Sequence, residues 1–140
     1  SKGAVIIAKN NMAEIVITRR LQPISGDISE IGGKCNNPYD LNRACGASST
    51  GTGAAISSAL GILGIGTDSD GSIINPSSFN GLYGLRIPRD ESNNQGMLPF
   101  NFKRDTIGPI TKHLDDLVLA YSILVDNSKI YDDFIKEESE

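Results

Sequence analysis

The clearest periodic pattern in the chain lies near residue 120. Apolar residues recur there at the three- and four-residue spacing of one helix face: Leu114, Leu117, Val118, Tyr121, Leu124 and Val125. Asp115 and Asp116 fall in the first turn, where acidic side chains interact favourably with the helix dipole. The spacing therefore predicts a helix over residues 114–125 whose polar face is solvated.

Three further segments carry apolar patterns. Residues 3–8 (GAVIIA) are short, β-branched and flanked by polar residues, which is typical of a buried strand. Residues 10–17 fit either a short helix or a loop. Small residues then lead into an apolar run, which predicts a helix over about 49–60 and a strand over 62–65.

The segments between these elements are rich in turn-forming residues. Residues 21–42 contain many Gly, Pro, Asn and Asp and predict a long surface excursion. Residues 75–84 (NPSSFNGLYG) predict loop and turn, and the polar residues 88–95 predict an exposed segment. No internal repeat is evident, and the mixture of strands and helices indicates an α/β unit.

Composition and charge bound the class of protein. The 140 residues are enough for one domain with a core, and 39% hydrophobic with 21% charged residues excludes a disordered polyelectrolyte and a coiled coil. The net charge of −4 resides in residues 126–140, since residues 1–125 hold eleven charges of each sign. We therefore expect a domain over 1–125 and a solvated or frayed acidic tail over 126–140. The sequence has no basic patch, so its charge pattern does not suggest a nucleic-acid partner.

Cysteine and histidine content narrows the chemistry. Cys35 and Cys45 cannot form a disulfide framework, and no C-x-x-C or Cys/His cluster suggests zinc, so we expect reduced thiols. Serines and glycines interrupt the apolar run over 54–65, which excludes a membrane span there. No signal peptide is visible, so a cytoplasmic location is expected. His113 is the single histidine, which argues against a Ser-His-Asp triad and indicates a surface or capping residue.

The candidate chemistry lies in two Ser/Gly-rich segments, GASSTGTG at 46–53 and GTDSDGS at 66–72. A turn of this kind that leads into a helix exposes backbone N–H groups, which suits an anion or an oxyanion; small residues also suit tight packing. A phosphate-binding loop is excluded because neither segment has Lys followed by Ser or Thr. A calcium loop is excluded because its register places Gly66 at the first ligand position and Ser77 at the position of the bidentate Glu.

Together these motifs resemble the amidase signature family of serine hydrolases. The family's Gly-Gly-Ser-Ser-Gly-Gly-Ser turn is similar to GASSTGT here, and its Gly-Thr-Asp-x-Gly-Gly-Ser-Ile turn is similar to GTDSDGSI. Family members place their catalytic serines twenty-four residues apart, which is the separation of Ser48 and Ser72. DTIGP at 105–109 and GAVIIAKNNMAE at 3–14 resemble further family stretches. The motifs are closest to a branch that resembles peptide amidases.

The resemblance implies a fold, a mechanism and a substrate class. The fold would be part of the α/β amidase signature fold, with a mixed β-sheet core flanked by helices, incomplete in this chain. In a Ser-Ser-Lys triad, Ser72 would attack the amide carbonyl and form an acyl-enzyme while Ser48 relays the proton. Backbone N–H groups of Ser69, Asp70, Gly71 and Ser72 would form the oxyanion hole. The implied substrate is a small amide or peptide amide, and no metal or cofactor is needed.

Two departures from the family pattern affect this interpretation. The family's catalytic lysine lies upstream of the stretch at which this sequence begins, so it has no counterpart here. Lys9 matches a non-catalytic lysine of the family. Lys34 lies in the loop before Ser48 and is the alternative candidate for the base. Ala47 replaces the glycine before the relay serine, and the family's peptide bond at that point is cis. The chain thus resembles a fragment, and we expect it to be inactive in isolation.

Three functions remain open on these residues. The first is the nucleophile-bearing part of an amide hydrolase, and the second is a degenerate amidase-like module that binds without catalysis. The third is the amidase subunit of an amidotransferase, which would require a protein partner that the sequence does not identify.

Overall fold

The computed structural model describes residues 2–14 and 27–139. In chain order the described residues form β1 (Ile28–Ser29), β2 (Gly33–Lys34), β3 (Asn36–Asn37), β4 (Asp40–Ala44), α1 (Thr50–Ser57), β5 (Leu63–Asp68), α2 (Ile74–Phe79), β6 (Tyr83–Gly84), β7 (Thr106–Thr111), α3 (Leu114–Leu124) and α4 (Lys129–Glu138). Strands and helices are interspersed from α1 onward, so the α/β class predicted from the sequence is confirmed.

A three-stranded sheet organises the second half of the chain. Strand β7 lies between β5 and β6 and runs antiparallel to both, with Gly108 opposite Gly66 and Ile110 opposite both Gly64 and Gly84. Helix α1 packs on β5, α3 packs on β7, and α4 packs on α3. Two separate antiparallel hairpins, β1–β2 and β3–β4, precede α1.

The core lies between the sheet and the helices and is built from small and branched residues. Ile73, Ile87 and Ile110 are fully buried, and each residue of β7 except Ile107 is buried. Several of the fully buried side chains are polar: Asp27, Thr50, Asp68, Asn80, Thr106 and Thr111. Because a buried polar group is costly without a hydrogen-bond partner, these side chains mark positions where the fold is organised by specific bonds.

The helix predicted over 114–125 is confirmed as Leu114–Leu124. The helix predicted over 49–60 is present but shorter, as Thr50–Ser57, and the strand predicted over 62–65 extends through Leu63–Asp68. The predicted exposure of residues 88–95 is also confirmed, since most of them are exposed.

The prediction of a buried strand over residues 3–8 is wrong. This segment forms no strand, and Val5, Ile6 and Ile7 are 84%, 92% and 70% exposed. It joins no described sheet, although β5 is an edge strand, and the chain just beyond it is anchored to the start of α1, where the Gly51 N–H donates to the Asn11 carbonyl at 3.1 Å. For the segment 10–17, residues 10–14 are irregular and residues 15–17 lie outside the described residues.

The prediction of loop and turn over 75–84 is also wrong, because helix α2 and strand β6 lie there. Pro76 sits in the first turn of α2, where a missing N–H removes no intrahelical bond. A surface excursion was predicted over residues 21–42. Residues 21–26 of it lie outside the described residues, and the two hairpins begin at residue 28. In the acidic tail, Lys129–Glu138 is a solvated helix with no buried residue. The division of the chain into a domain over 1–125 and a tail over 126–140 stays a prediction.

Candidate active site

Ser72 lies in the tight turn that connects β5 to α2. Asp68, the last residue of β5, accepts the N–H of Gly71 at 2.8 Å and the N–H of Ile73 at 2.7 Å. Gly71 has φ +95°, a conformation that side-chain-bearing residues rarely adopt. The Asp68 carboxylate therefore fixes the backbone on both sides of Ser72, whose residue exposure is 4%.

The charge of Asp68 is matched by Arg86. The Asp68 side chain is fully buried, and Arg86 Nε donates to its Oδ1 at 3.3 Å. Arg86 also donates to the backbone carbonyl of Arg104. Removing one partner of a buried ion pair leaves an uncompensated charge, so this pair helps to hold the turn in a single conformation.

A second buried carboxylate, that of Asp105, holds the turn from the other side. It accepts hydrogen bonds from the Ser69 hydroxyl, from the N–H of Asn101 at 2.6 Å and from the N–H of Phe100. Burial raises the pKa of Asp105, but these hydrogen bonds, with the charge of Arg89, outweigh burial and hold the pKa below its ordinary value. The ionised form of Asp105 therefore links the serine turn to the loop before β7.

Ser48 lies in the turn that leads into α1, and a third buried carboxylate organises that turn. Asp27 accepts the N–H of Cys45 at 2.9 Å, the N–H of Gly46 at 3.0 Å and the hydroxyl of Thr50 at 3.3 Å. Burial raises the pKa of Asp27 above its ordinary value, against the opposing effect of these donors. Ser48 is 5% exposed.

Helix α2 braces the same turn. Gly46 has φ +128°, and a Cβ there would lie 2.5 Å from the Cα of Pro76. The Asn80 side-chain amide donates to the carbonyls of Cys45 and Pro76, both at 2.7 Å. The segment that follows Ser72 thus positions the segment that precedes Ser48.

Ser49 joins the two serine turns directly. Its N–H donates to the Ser72 carbonyl at 3.3 Å. Its hydroxyl donates to the Thr67 carbonyl at 3.2 Å and accepts the Thr67 N–H at 3.2 Å. The structure therefore brings the two predicted serines into adjoining turns, although they are separated by helix α1 and strand β5 in sequence.

The backbone donors around Ser72 differ from the sequence prediction at one position. The Gly71 N–H is taken by the Asp68 carboxylate, so Gly71 is corrected from an oxyanion donor to a turn residue. In the described ranges, the N–H groups of Ser69, Asp70 and Ser72 donate to no protein acceptor. These three groups could bind an anionic oxygen.

Neither lysine considered from the sequence is placed as a base. Lys34 is exposed in β2, and among the hydrogen bonds and ion pairs of the described residues none joins it to Ser48. Lys9 and Ser48 both line a largely apolar cavity of about 580 Å³ between residues 4–12 and α1. Every peptide bond in the described ranges is trans, including the bond between Ala47 and Ser48, where the family's bond is cis.

Three further predictions concern metal binding, membrane crossing and the position of His113. Within residues 2–14 and 27–139, no three His, Cys, Asp or Glu side chains are grouped so that they could hold a metal ion. No helix in these ranges combines the length and the apolar character that a bilayer crossing needs. His113 occupies the N-cap position of α3 and is exposed, as predicted.

Comparison with known proteins decides the family. The sequence model of the Amidase family matches residues 1–138. The chain belongs to the amidase family. This amidase chain is 36% identical over 126 residues to the A subunit of the glutamyl-tRNA(Gln) amidotransferase from Sulfolobus acidocaldarius, an alignment that covers 89% of the chain and 25% of that protein. The chain thus spans about a quarter of the length of the curated relatives that it matches.

Solved structures show the same relationship. The native peptide amidase from Stenotrophomonas maltophilia superposes with a TM-score of 0.78 at 32% identity, covering 87% of this amidase chain and 25% of that chain. The A subunit of the glutamyl-tRNA(Gln) amidotransferase from Thermotoga maritima gives a TM-score of 0.60 at 34% identity, covering 64% and 20%. The predicted membership of the amidase signature family, on its peptide-amidase-like branch, is confirmed.

The three carboxylates that hold the amidase turns were not predicted from the sequence. Asp68 and Asp105 lie inside recognised motifs, and Asp27 follows a glycine in a turn-rich segment. Asp beside Gly is a common turn signal, because its carboxylate can accept nearby backbone N–H groups. Of the three, only Asp27 carries that signal, and the signal does not indicate the long-range partners of Asp27 and Asp105.

Proposed function

We propose that the protein containing this chain hydrolyses amide bonds, with Ser72 as nucleophile and Ser48 as proton relay. The observation that carries the proposal is the pair of buried serines in adjoining turns, joined by the bond from the Ser49 N–H to the Ser72 carbonyl. The family and the spacing of the two serines support the same roles.

The reaction is acyl transfer in two steps. Ser72 Oγ attacks the amide carbonyl carbon while its proton passes to Ser48 and from there to a base. The resulting oxyanion accepts the N–H groups of Ser69, Asp70 and Ser72, a contribution of about 10²–10³ in rate for one such donor. Collapse expels the amine, which takes up the proton. Water then attacks the acyl ester and releases the acid.

The base in this proposal is a lysine from sequence outside these 140 residues. Lys9 and Lys34 are both exposed, and no hydrogen bond among the described residues joins either of them to Ser48, so neither is positioned to accept the proton. A serine hydroxyl without a base is a weak nucleophile at its ordinary pKa. We therefore expect little turnover from the 140-residue chain alone.

For the substrate we propose a small amide or a peptide amide, which the similarity to the Stenotrophomonas maltophilia peptide amidase supports. The similarity to amidotransferase A subunits supports a second candidate, a subunit that works with a protein partner. We also propose a cytoplasmic location, because Cys35 and Cys45 are free thiols, the usual state in a reducing compartment.

Ammonia release from peptide amides by the full-length gene product tests the hydrolase proposal. Ser48→Ala is expected to lower kcat by at least about 100-fold, since it removes the proton relay. Ser58→Ala, an exposed serine at the end of α1, is the matched control and should keep the wild-type kcat. Release that appears only with an added partner protein would favour the amidotransferase role. An absence of release under both conditions would favour a non-catalytic module.

A further inference from the structure

Cys35 and Cys45 flank Asn36 and Ala44, the last pair at the open end of the β3–β4 hairpin. Asn36 pairs with Ala44 in the antiparallel register, so the next opposed positions outward are the two cysteines. Residues opposed in an antiparallel pair have Cα atoms about 4.5–5.5 Å apart. That range lies within the Cα separation of roughly 4.4–6.8 Å that a disulfide bridges without backbone movement.

Asp27 holds the two cysteines at this separation. The Cys35 N–H donates to the Asp27 backbone carbonyl at 2.8 Å, and the Cys45 N–H donates to the Asp27 carboxylate at 2.9 Å. Both thiols also interact with Thr50 at the start of α1. One buried residue therefore fixes the backbone of both cysteines, and their side chains converge on the same point.

The two thiols differ in reactivity. Cys35 is half-buried, and a hydrogen bond from the Cys45 thiol lowers its pKa to about 6, against the opposing effects of burial and the Asp27 charge. Cys45 is fully buried, and the interaction with Cys35 together with burial raises its pKa. An accessible thiolate beside a protonated resolving thiol is the arrangement found in redox-responsive cysteine pairs.

We propose that Cys35 and Cys45 are a redox modification site that closes reversibly to a disulfide when a peroxide oxidises Cys35. The Cys35 sulfur attacks one peroxide oxygen, the O–O bond breaks, and Cys35 becomes a sulfenic acid as hydroxide leaves. The Cys45 sulfur then displaces the sulfenic oxygen, which departs as water with the Cys45 proton. In total, two thiols and one hydrogen peroxide give one disulfide and two waters, and a dithiol reductant reverses the reaction.

The disulfide alters the turn that carries Ser48. The Cys45 sulfur lies within hydrogen-bond distance of the Thr50 carbonyl at 3.3 Å and of the Asn80 side-chain oxygen at 3.4 Å, and a disulfide removes the one proton that can be donated to them. Cys45 precedes Ser48 by three residues. A lower hydrolysis rate in the oxidised state is the expected consequence, and this consequence alone rests on the proposed function.

Mass spectrometry of the protein treated with hydrogen peroxide tests the site independently of hydrolysis. The expected product has lost two hydrogen atoms, yields a peptide in which Cys35 is linked to Cys45, and returns to the original mass with dithiothreitol. Cys45→Ser should instead accumulate a sulfenic acid at Cys35 that dimedone traps. Oxidation of wild-type Cys35 to sulfinic acid with Cys45 still reduced, or no oxidation of either thiol, would overturn the proposal.

A kinetic measurement guards against variants that fail to fold. With a small aromatic disulfide reagent at about pH 6, wild-type Cys35 should react on the order of tenfold faster in the native protein than in urea. This expected ratio already includes the lower nucleophilicity of a low-pKa thiolate. The native protein should release two equivalents of reagent thiol and end as the internal disulfide. Equal rates in both states, or a stable mixed disulfide on Cys35, would contradict the proposal.

Discussion

The hydroxyl of Ser69 donates a hydrogen bond to the carboxylate of Asp105, which ties the turn that carries Ser72 to the loop that precedes β7. The same carboxylate accepts the backbone N–H groups of Phe100 and Asn101. Three donors from two distant segments thus converge on one buried charge. The position of the nucleophile turn depends on this carboxylate as well as on Asp68.

Asp105→Asn should lower the free energy of unfolding by about 2–4 kcal/mol. An amide places an N–H group among donors that need an acceptor, and hydrogen bonds to a charged group are each worth about 1.5–3 kcal/mol. Urea denaturation measures the loss. Asp90→Asn makes the same chemical change at an exposed position and should stay within about 0.5 kcal/mol of the wild type. Equal losses in the two variants would contradict the proposed role of Asp105.

Acid should destabilise the wild type more steeply than Asp105→Asn. The folded pKa of Asp105 is lowered, so its ionised form stabilises the fold above the unfolded pKa of about 3.9. This stabilisation is lost as the pH falls below about 4 and through the folded pKa. Urea denaturation at a series of pH values between about 5 and 2.5 gives the two slopes. Parallel pH dependences would show that Asp105 is not the titrating group.

Gly46→Ala and Gly96→Ala separate backbone strain from close packing. Both glycines have positive φ, but a Cβ at Gly46 meets the backbone of Pro76, whereas a Cβ at Gly96 meets nothing within 4 Å. Gly96→Ala should therefore cost about 1–2 kcal/mol of stability, and Gly46→Ala at least about 3 kcal/mol. Urea denaturation compares them, and similar costs would argue against contact between α2 and the Ser48 turn.

Helix α3 was predictable because its signal is local: large apolar residues recur at helical spacing over eleven residues. Helix α2 was not, because its sequence INPSSF is typical of a turn. Its conformation depends on Pro76 in the first turn and on the Asn80 amide, which bonds to the Pro76 carbonyl and to the Cys45 turn. The second of these bonds joins residues 35 positions apart, which no local pattern indicates.

The failed strand prediction over 3–8 has a related cause. Branched apolar composition favours extended backbone, but a strand also needs a neighbouring edge that accepts its hydrogen bonds. Strand β5 is an edge strand, but its only ladder among the described residues is with β7, so residues 3–8 form no strand and Val5 and Ile6 stay exposed.

The two serines of the candidate site were predictable, because motif and spacing single them out. Their supports were not, because Asp27 and Asp105 bond to turns 18 and 36 residues away. A carboxylate in a polar loop has the same local sequence whether it is solvated or holds a distant turn. The engagement of the Gly71 N–H by Asp68 likewise became evident only from the geometry.

Covalent labelling of the full-length gene product with a fluorophosphonate probe tests most directly whether Ser72 is the nucleophile. The probe forms a stable ester with an activated serine, and the labelled residue is identified by peptide mass spectrometry. Ser78→Ala, which changes an exposed serine in α2, is the matched control and should label like the wild type. Loss of labelling in Ser72→Ala is the predicted result, and labelling that persists in Ser72→Ala would contradict the assignment.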